Sequence, residues 1–218
     1  MAILYGVPVS PYVRKVMLAH DYKKVSYELK LTPPGSDEPE FVAVSPLKKI
    51  PAYKTDNGFG FADSTIIIAY LEKTVKQNRL YPDNADLYAK ALWLEEYSDT
   101  KMSEAISALY FQRFVGPKFF NHTTDEKRVT ELLTELIPQV LNYIESQLIL
   151  DEWAIGNEFS IADIAIGMNL ISLFLVDYEI DKEQYPKLST FNKRFMALDL
   201  VVDQLAKEAT ALTLLTSK

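Results

Sequence analysis

The sequence predicts a chain of two parts, an α/β N-terminal domain followed by an all-α C-terminal helical bundle domain, and three observations carry that expectation. Up to about Lys76 the pattern switches over short distances between strand-like runs, turn signals and brief helical stretches. From Ala85 onward the apolar residues recur at helical spacing, as at Leu87, Ala91 and Leu94. Between these regions, Asn78-Arg79-Leu80-Tyr81-Pro82-Asp83-Asn84-Ala85-Asp86 has the polar, proline-containing character of a linker. The expected boundaries are therefore 1–77 for the first domain, 78–86 for the linker and 87–218 for the helical domain.

Each element has a local reason. Ala2-Ile3-Leu4-Tyr5 reads as an opening strand. Pro11 then starts a helix running to about His20, because its missing N–H would be unpaired at the first helical position anyway, and Ser10 suits the N-cap. Val25–Leu31 alternates like a strand, Thr32–Ser36 is a loop, and a short helix is expected over Glu38–Val44. Ile50–Lys54, the turn Asp56-Asn57-Gly58 and Phe59–Phe61 read as a hairpin, since Asn-Gly supplies positive φ at little cost. Asp63-Ser64 caps an apolar helix from Thr65 to about Val75. Later helices are expected over Thr124–Leu150, kinked or interrupted at Pro138, and over Ile161–Leu175, Pro186–Leu198 and about Leu200–Leu212. Ser160 and Asp163 have the spacing of a capping box, with Phe159 placed to staple onto Ile164, which gives Asp163 a structural role.

Composition narrows the function. With 218 residues, 48% hydrophobic and 24% charged, the chain can bury a substantial core. A net charge of −7 without any basic run opposes nucleic-acid and anionic-membrane partners. No apolar run is long enough to span a bilayer and the N-terminus lacks the pattern of a signal peptide, so a cytoplasmic location is expected. There is no cysteine, which removes disulfides, thiolate metal sites and any protein-borne sulfur nucleophile. Thiol chemistry here requires a thiol brought by a co-substrate. His20 and His122 are the only histidines and lack metal-ligand spacing, so no metal is expected.

Three segments of the first domain then offer complementary contacts. Ser10 places a hydroxyl where a strand hands over to a helix, and the helix directs its free amides and positive dipole end there. Read alone, Ser10-Pro11 is an ordinary cap. Ile50-Pro51 leads into a strand where proline cannot donate to the ladder, which points to an unusual backbone such as a cis bond and frees the Ile50 N–H and C=O for an extended peptide. Asp63 supplies a carboxylate for an ammonium group, and Ser64 a hydroxyl with helix-start amides for a carboxylate. A small zwitterionic peptide bearing a thiol would meet all three.

At these residues the chain resembles the soluble glutathione transferase family. The resemblance covers nearly the whole chain and rests on Ser10-Pro11-Tyr12-Val13-Arg14-Lys15-Val16, Ser45-Pro46-Leu47-Lys48-Lys49-Ile50-Pro51-Ala52, Asp63-Ser64-Thr65-Ile66-Ile67-Ile68-Ala69-Tyr70-Leu71 and Phe159-Ser160-Ile161-Ala162-Asp163-Ile164, in that order. It implies a thioredoxin-like first domain joined to a helical bundle. It also implies glutathione as co-substrate: Ser10 stabilising the thiolate, Ile50 before the family's cis-proline Pro51 pairing with the cysteinyl backbone, Asp63 and Ser64 holding the γ-glutamyl end, and Lys49 near the glycyl carboxylate. Trp93-Leu94-Glu95-Glu96-Tyr97-Ser98-Asp99 is similar to the start of the helical domain in tau-like and related bacterial members. Lys48 stands where many members have glycine, Ser45 where they have asparagine, and Phe191 where tryptophan is frequent. The missing cysteine disfavours the reductase activities of omega-like and beta-like members, and Pro11 disfavours a zeta-like isomerase.

The implied reaction is conjugation of the glutathione thiolate to small hydrophobic electrophiles, a detoxifying transfer, with peroxide reduction as a second use of the same thiolate. Lowering a thiol pKa from about 8.5 by about two units corresponds to ~2.7 kcal/mol, within reach of one hydrogen bond and a helix terminus. The electrophile is expected between the domains against Tyr12, Met102, Ile106, Tyr110 and Phe114, although an amphipathic bundle helix needs such an apolar stripe for packing alone. A homodimer is implied by the resemblance. The alternative is a non-enzymatic glutathione-binding, regulatory or scaffold protein of the same fold.

Overall fold

In the computed structural model, which describes residues 1–149 and 152–216, β1 (Ile3–Gly6) lies inside a four-stranded sheet of order β2-β1-β3-β4. Its Leu4 and Tyr5 are fully buried. α1 (Pro11–Lys23) carries the chain over to β2 (Glu28–Leu31), which pairs parallel to β1. α2 (Pro39–Val44) follows, and then β3 (Ala52–Lys54) and β4 (Gly60–Ala62) form the antiparallel hairpin whose turn holds Gly58 at φ 88°. α3 (Ser64–Thr74) closes the segment. Gly6 is dictated by contact, since a Cβ there would lie 2.5 Å from Val13 Cγ2 on α1.

The second strand starts later than Val25 because α1 runs on to Lys23 and closes on a left-handed Lys24, φ 56°, where the Lys24 and Val25 N–H groups donate to the Asp21 and His20 carbonyls. Lys48 likewise adopts φ 53°, the conformation for which glycine is favoured.

The helical region comprises α4 (Ala85–Tyr97), α5 (Ser103–Tyr110), α6 (Gly116–Phe119), α7 (Glu126–Glu131), α8 (Ile137–Gln147), α9 (Ile161–Phe174) and α10 (Pro186–Met196). Three π-helical turns, Ser98–Met102, Phe111–Val115 and Leu132–Leu136, join successive helices without a loop. The second and third end two residues before Pro117 and Pro138, so the missing proline N–H is absorbed as a local bulge. The expected interruption at Pro138 thus takes the form of a π-turn just ahead of it. Leu150, the expected end of that stretch, lies outside the described residues. Every residue of α9 from Ile161 to Leu173 is buried, which makes it the central helix of this unit. Its Asn169 is satisfied by Ser103 Oγ at 3.1 Å and the Ser98 carbonyl at 3.1 Å. At its start, Asp163 Oδ2 accepts from both the N–H and the hydroxyl of Ser160 at 2.8 Å, and Oδ1 from the Ala154 N–H at 2.8 Å. Phe159 meets Trp153 edge-on at 4.9 Å.

The chain divides into two compact units, Tyr81–Leu198 and a first unit that combines Met1–Leu80 with α11 (Asp199–Thr216). This corrects the expected extent of the helical domain, 87–218. The last helix packs on α1, to which it is tied by a buried Arg14–Glu208 ion pair 194 residues apart in sequence. Among the described residues no helix is long and apolar enough to cross a membrane.

Candidate functional site

The sheet register brings the three expected segments of the first unit to one end. Tyr5 of β1 pairs with Ala52 of β3, and Ala52 pairs with Ala62 of β4. The loop carrying Ser10 leaves β1 at the end where Ile50-Pro51 enters β3 and Asp63-Ser64 leaves β4. The Asp63 N–H donates to the Pro51 carbonyl at 3.2 Å, which locks two of the segments together directly.

Ser10 takes the N-cap position of α1 with an extended backbone, φ −73° and ψ 126°, and Pro11 follows in the first turn. The backbone of Ser10 is fully used: its N–H donates to the Val7 carbonyl at 3.0 Å, and its C=O accepts from Arg14 N–H at 2.9 Å. The hydroxyl, however, does not cap the helix, and among the described residues it has no hydrogen-bond partner. The expected cap is therefore positional only. A half-buried hydroxyl is left at the positive end of the α1 dipole.

Ile50-Pro51 is a cis peptide bond. Neither the N–H nor the C=O of Ile50 has a partner among the described residues, so both are open to an extended backbone. Ser45 organises this approach. Its buried Oγ donates to the Lys49 carbonyl at 2.7 Å and accepts the Lys49 N–H at 3.2 Å. In the sequence Ser45 shows only as a departure from asparagine; its clamp on Lys49 depends on the turn that folds it back. The Lys49 side chain itself is exposed.

Asp63 stands at φ 91°, an unusual backbone for a non-glycine residue and of the kind that persists where surroundings over-determine it, often at ligand sites. Its Oδ1 accepts from the Thr65 N–H at 2.9 Å and the Ile66 N–H at 3.2 Å. The expected set of free amides at this helix start is thereby reduced, because the capping carboxylate consumes two of them. What remains for a ligand is the N–H and hydroxyl of the buried Ser64 and the second carboxylate oxygen of Asp63. Lys15, buried on α1, donates to Thr65 Oγ1 at 3.1 Å and so braces α1 against the start of α3.

The residues expected to receive an electrophile divide by exposure. Met102 and Ile106 are both 0% exposed and Tyr110 is buried, in keeping with the packing of α5 on α9. Phe114 is only partly buried, stacks on Tyr110 at 5.1 Å between centroids, and carries the Lys118 ammonium 4.8 Å above its ring. Tyr12 in the first turn of α1 is likewise partly exposed. A separate cleft of about 690 Å³ opens at the opposite end of α1, against Met17, Tyr27 and Leu200, and includes none of these residues.

A mixed sheet of this order, with a hydroxyl, an open backbone pair and an acid–serine pair at one sheet end, defines a thioredoxin-like fold. Residues 4–79 match the family described as "Glutathione S-transferase, N-terminal domain", and residues 100–199 match "Glutathione S-transferase, C-terminal domain". A glutathione S-transferase of Triticum aestivum is 28% identical over 200 residues, covering 90% of this chain and 89% of the relative. Elongation factor 1-gamma of Danio rerio is 27% identical over 177 residues, covering 78% of this chain but only 38% of that longer protein. The crystal structure of glutathione transferase F2 from Populus trichocarpa shares the fold with a TM-score of 0.84 at 19% identity, covering 96% of this chain and all of that one, 100%. The chain belongs to the soluble glutathione S-transferase family.

Proposed function

We propose that this chain is a serine-type glutathione transferase that attaches the glutathione sulfur to small hydrophobic electrophiles. The observation that carries the reading is the Ser10 hydroxyl, which stands at the start of α1 with its backbone satisfied and its side chain uncommitted. In this reading Ser10 Oγ–H donates to the sulfur and the first-turn amides of α1 add their field, so the thiolate is favoured without serine itself ionising. Ile50 pairs with the cysteinyl part of the peptide through its open N–H and C=O. Asp63 and Ser64 take the γ-glutamyl ammonium and carboxylate, and the exposed Lys49 meets the glycyl carboxylate. Of the residues expected to meet the electrophile, Tyr12 and Phe114 are partly exposed, whereas Tyr110, Met102 and Ile106 are buried within the helical unit. The same thiolate attacks the outer oxygen of an organic hydroperoxide, releasing the alcohol and leaving glutathione sulfenic acid, which a second glutathione turns into the disulfide and water. The protein acts in the cytoplasm as a homodimer.

The likeness to elongation factor 1-gamma supports a second reading, a glutathione-binding or scaffold protein without turnover. One experiment separates the two: an aryl halide, an enal and an organic peroxide are each tested with and without glutathione, alongside glutathione titration. Glutathione-dependent turnover establishes the transferase. Binding without turnover establishes a glutathione-binding protein of the second reading, and no binding at all defeats the transferase and leaves an interaction or scaffold role.

A further inference from the structure

Arg14 sits one turn into α1. Its backbone N–H donates to the Ser10 carbonyl at 2.9 Å, so it closes the first helical turn on the residue that carries the hydroxyl. Its guanidinium forms a two-pronged pair with Glu208 of α11, Nε to Oε1 at 2.6 Å and Nη2 to Oε2 at 2.7 Å. Both side chains are buried, with exposures of 0% and 2%. Gln204, one turn earlier on α11, donates from Nε2 to Glu208 Oε1 at 2.9 Å and stands 3.8 Å from the Met17 sulfur of α1. Beside Glu208, Lys207 donates to Asp21 Oδ2 at 2.7 Å.

Arg14 and Asp21 are separated by two turns of α1, about 10 Å along its axis. Consecutive residues of α11 therefore grip α1 at two distant points, which fixes both its axial position and its rotation. Stability alone does not account for this arrangement. A buried ion pair recovers little more than its own desolvation cost, and apolar residues of equal volume hold two helices together as well or better. What a planar fork adds is direction, because guanidinium and carboxylate must be coplanar and in register for both hydrogen bonds to form.

We propose that Arg14 and Glu208 are positioning residues, and that the buried fork from α11 sets the first turn of α1 so that the Ser10 hydroxyl donates to the glutathione sulfur. This rests on the role given to Ser10 above. The glutathione backbone and its γ-glutamyl end are held at β3 and α3, outside the gripped helix, so affinity and thiol ionisation separate when the fork is altered.

The test measures glutathione affinity by calorimetry and ionisation of the bound thiol by its ultraviolet thiolate absorbance across pH, for the wild type, Ser10→Ala, Arg14→Lys and Glu208→Gln. Arg14→Lys keeps the charge without the fork, and Glu208→Gln keeps the shape without the charge, so the second remains informative if the first folds poorly. Both are expected to bind glutathione within about twofold of wild type at pH ~5.5, where the thiol is protonated in every variant, while raising the thiol pKa enough to lower the thiolate fraction at neutral pH about three- to tenfold, as Ser10→Ala does or less. A folded variant with the wild-type ionisation curve overturns the inference, as does a loss of affinity at pH ~5.5 as large as the loss of thiolate at neutral pH. Wild type that binds glutathione without ionising it, or ionises it equally well as Ser10→Ala, overturns the reading of Ser10 and this inference with it.

Discussion

Replacing Ser10 with alanine separates the two things a serine can do at a helix start. Were the hydroxyl an N-cap, its removal would cost about 1 kcal/mol of stability. Here its side chain makes no capping hydrogen bond, so the fold loses only a few tenths of a kcal/mol, at the low end of such substitutions. The chemistry loses far more. A hydrogen bond to a charged acceptor contributes about 1.5–3 kcal/mol, which at about 1.4 kcal/mol per decade is a roughly 10- to 150-fold fall in thiolate-dependent rate. The α1 amides remain and retain part of the stabilisation. Conjugation of an aryl halide, followed as kcat/KM beside a denaturant titration of the same preparation, reads both quantities. Conjugation at the wild-type rate would sink the assignment of Ser10 as the activating group. A loss of about 1 kcal/mol in stability would show instead that the hydroxyl caps the helix in solution.

Asp63→Asn keeps a side chain able to cap α3 but removes the charge, so glutathione binding should weaken about fivefold with stability nearly unchanged, whereas Asp63→Ala should lose both; calorimetry and melting show whether the two effects separate. His20 is buried, its Nδ1–H donates to the Val25 carbonyl at 3.0 Å, and burial pulls its pKa down to about 4. Its neutral form therefore contributes ~3 kcal/mol above pH ~6.5 that is lost as pH falls toward 4, and amide exchange in α1 should show wild type, but not His20→Phe, loosening over that window. Asp163 has the opposite sign, because burial raises its pKa to about 6 in spite of its hydrogen bonds. Its contribution is full below pH ~4 and ~3 kcal/mol is lost as pH rises through 6. Both tryptophans, Trp93 and Trp153, lie in the helical unit, so denaturation followed by their fluorescence should find wild type gaining on Asp163→Asn as pH drops from 7 to 4.5; a gap that narrows instead would show the carboxylate to be held charged.

Local chemistry made much of this chain legible. Pro11, the Asn57-Gly58 turn, Asp63 and the Ser160–Asp163 pair each announce an element start or turn through effects that span only a few residues, and the structure places all of them there. What the sequence concealed depends on partners far along the chain or on competition between acceptors. Nothing near Glu208 marks it as the partner of a residue 194 positions away, so periodicity assigned its helix to the wrong unit. The form of the interruption expected at Pro138, a π-turn just ahead of it like the one before Pro117, was not legible, because it depends on how the helix re-pairs its carbonyls around the missing N–H. At Ser64 the helix-start amides seemed available because the sequence does not say whether Asp63 turns inward to take them.

That competition bears directly on the site. Asp63, Asn84 and Asp125 each turn a side-chain oxygen onto the second and third amides after them, completing α3, α4 and α7 from within. Ser10 has the same position and an equally competent oxygen, yet leaves α1 unfinished. An incomplete helix end forgoes stabilisation of about 1 kcal/mol that α3, α4 and α7 obtain, and it leaves the Ser10 hydroxyl free for an acceptor from outside. In a chain without a cysteine, that acceptor is a sulfur only if it arrives on the co-substrate. For the proposed activation of glutathione, the uncommitted Ser10 hydroxyl is a more specific pointer than the serine itself, because a serine before a proline is common and usually caps its helix.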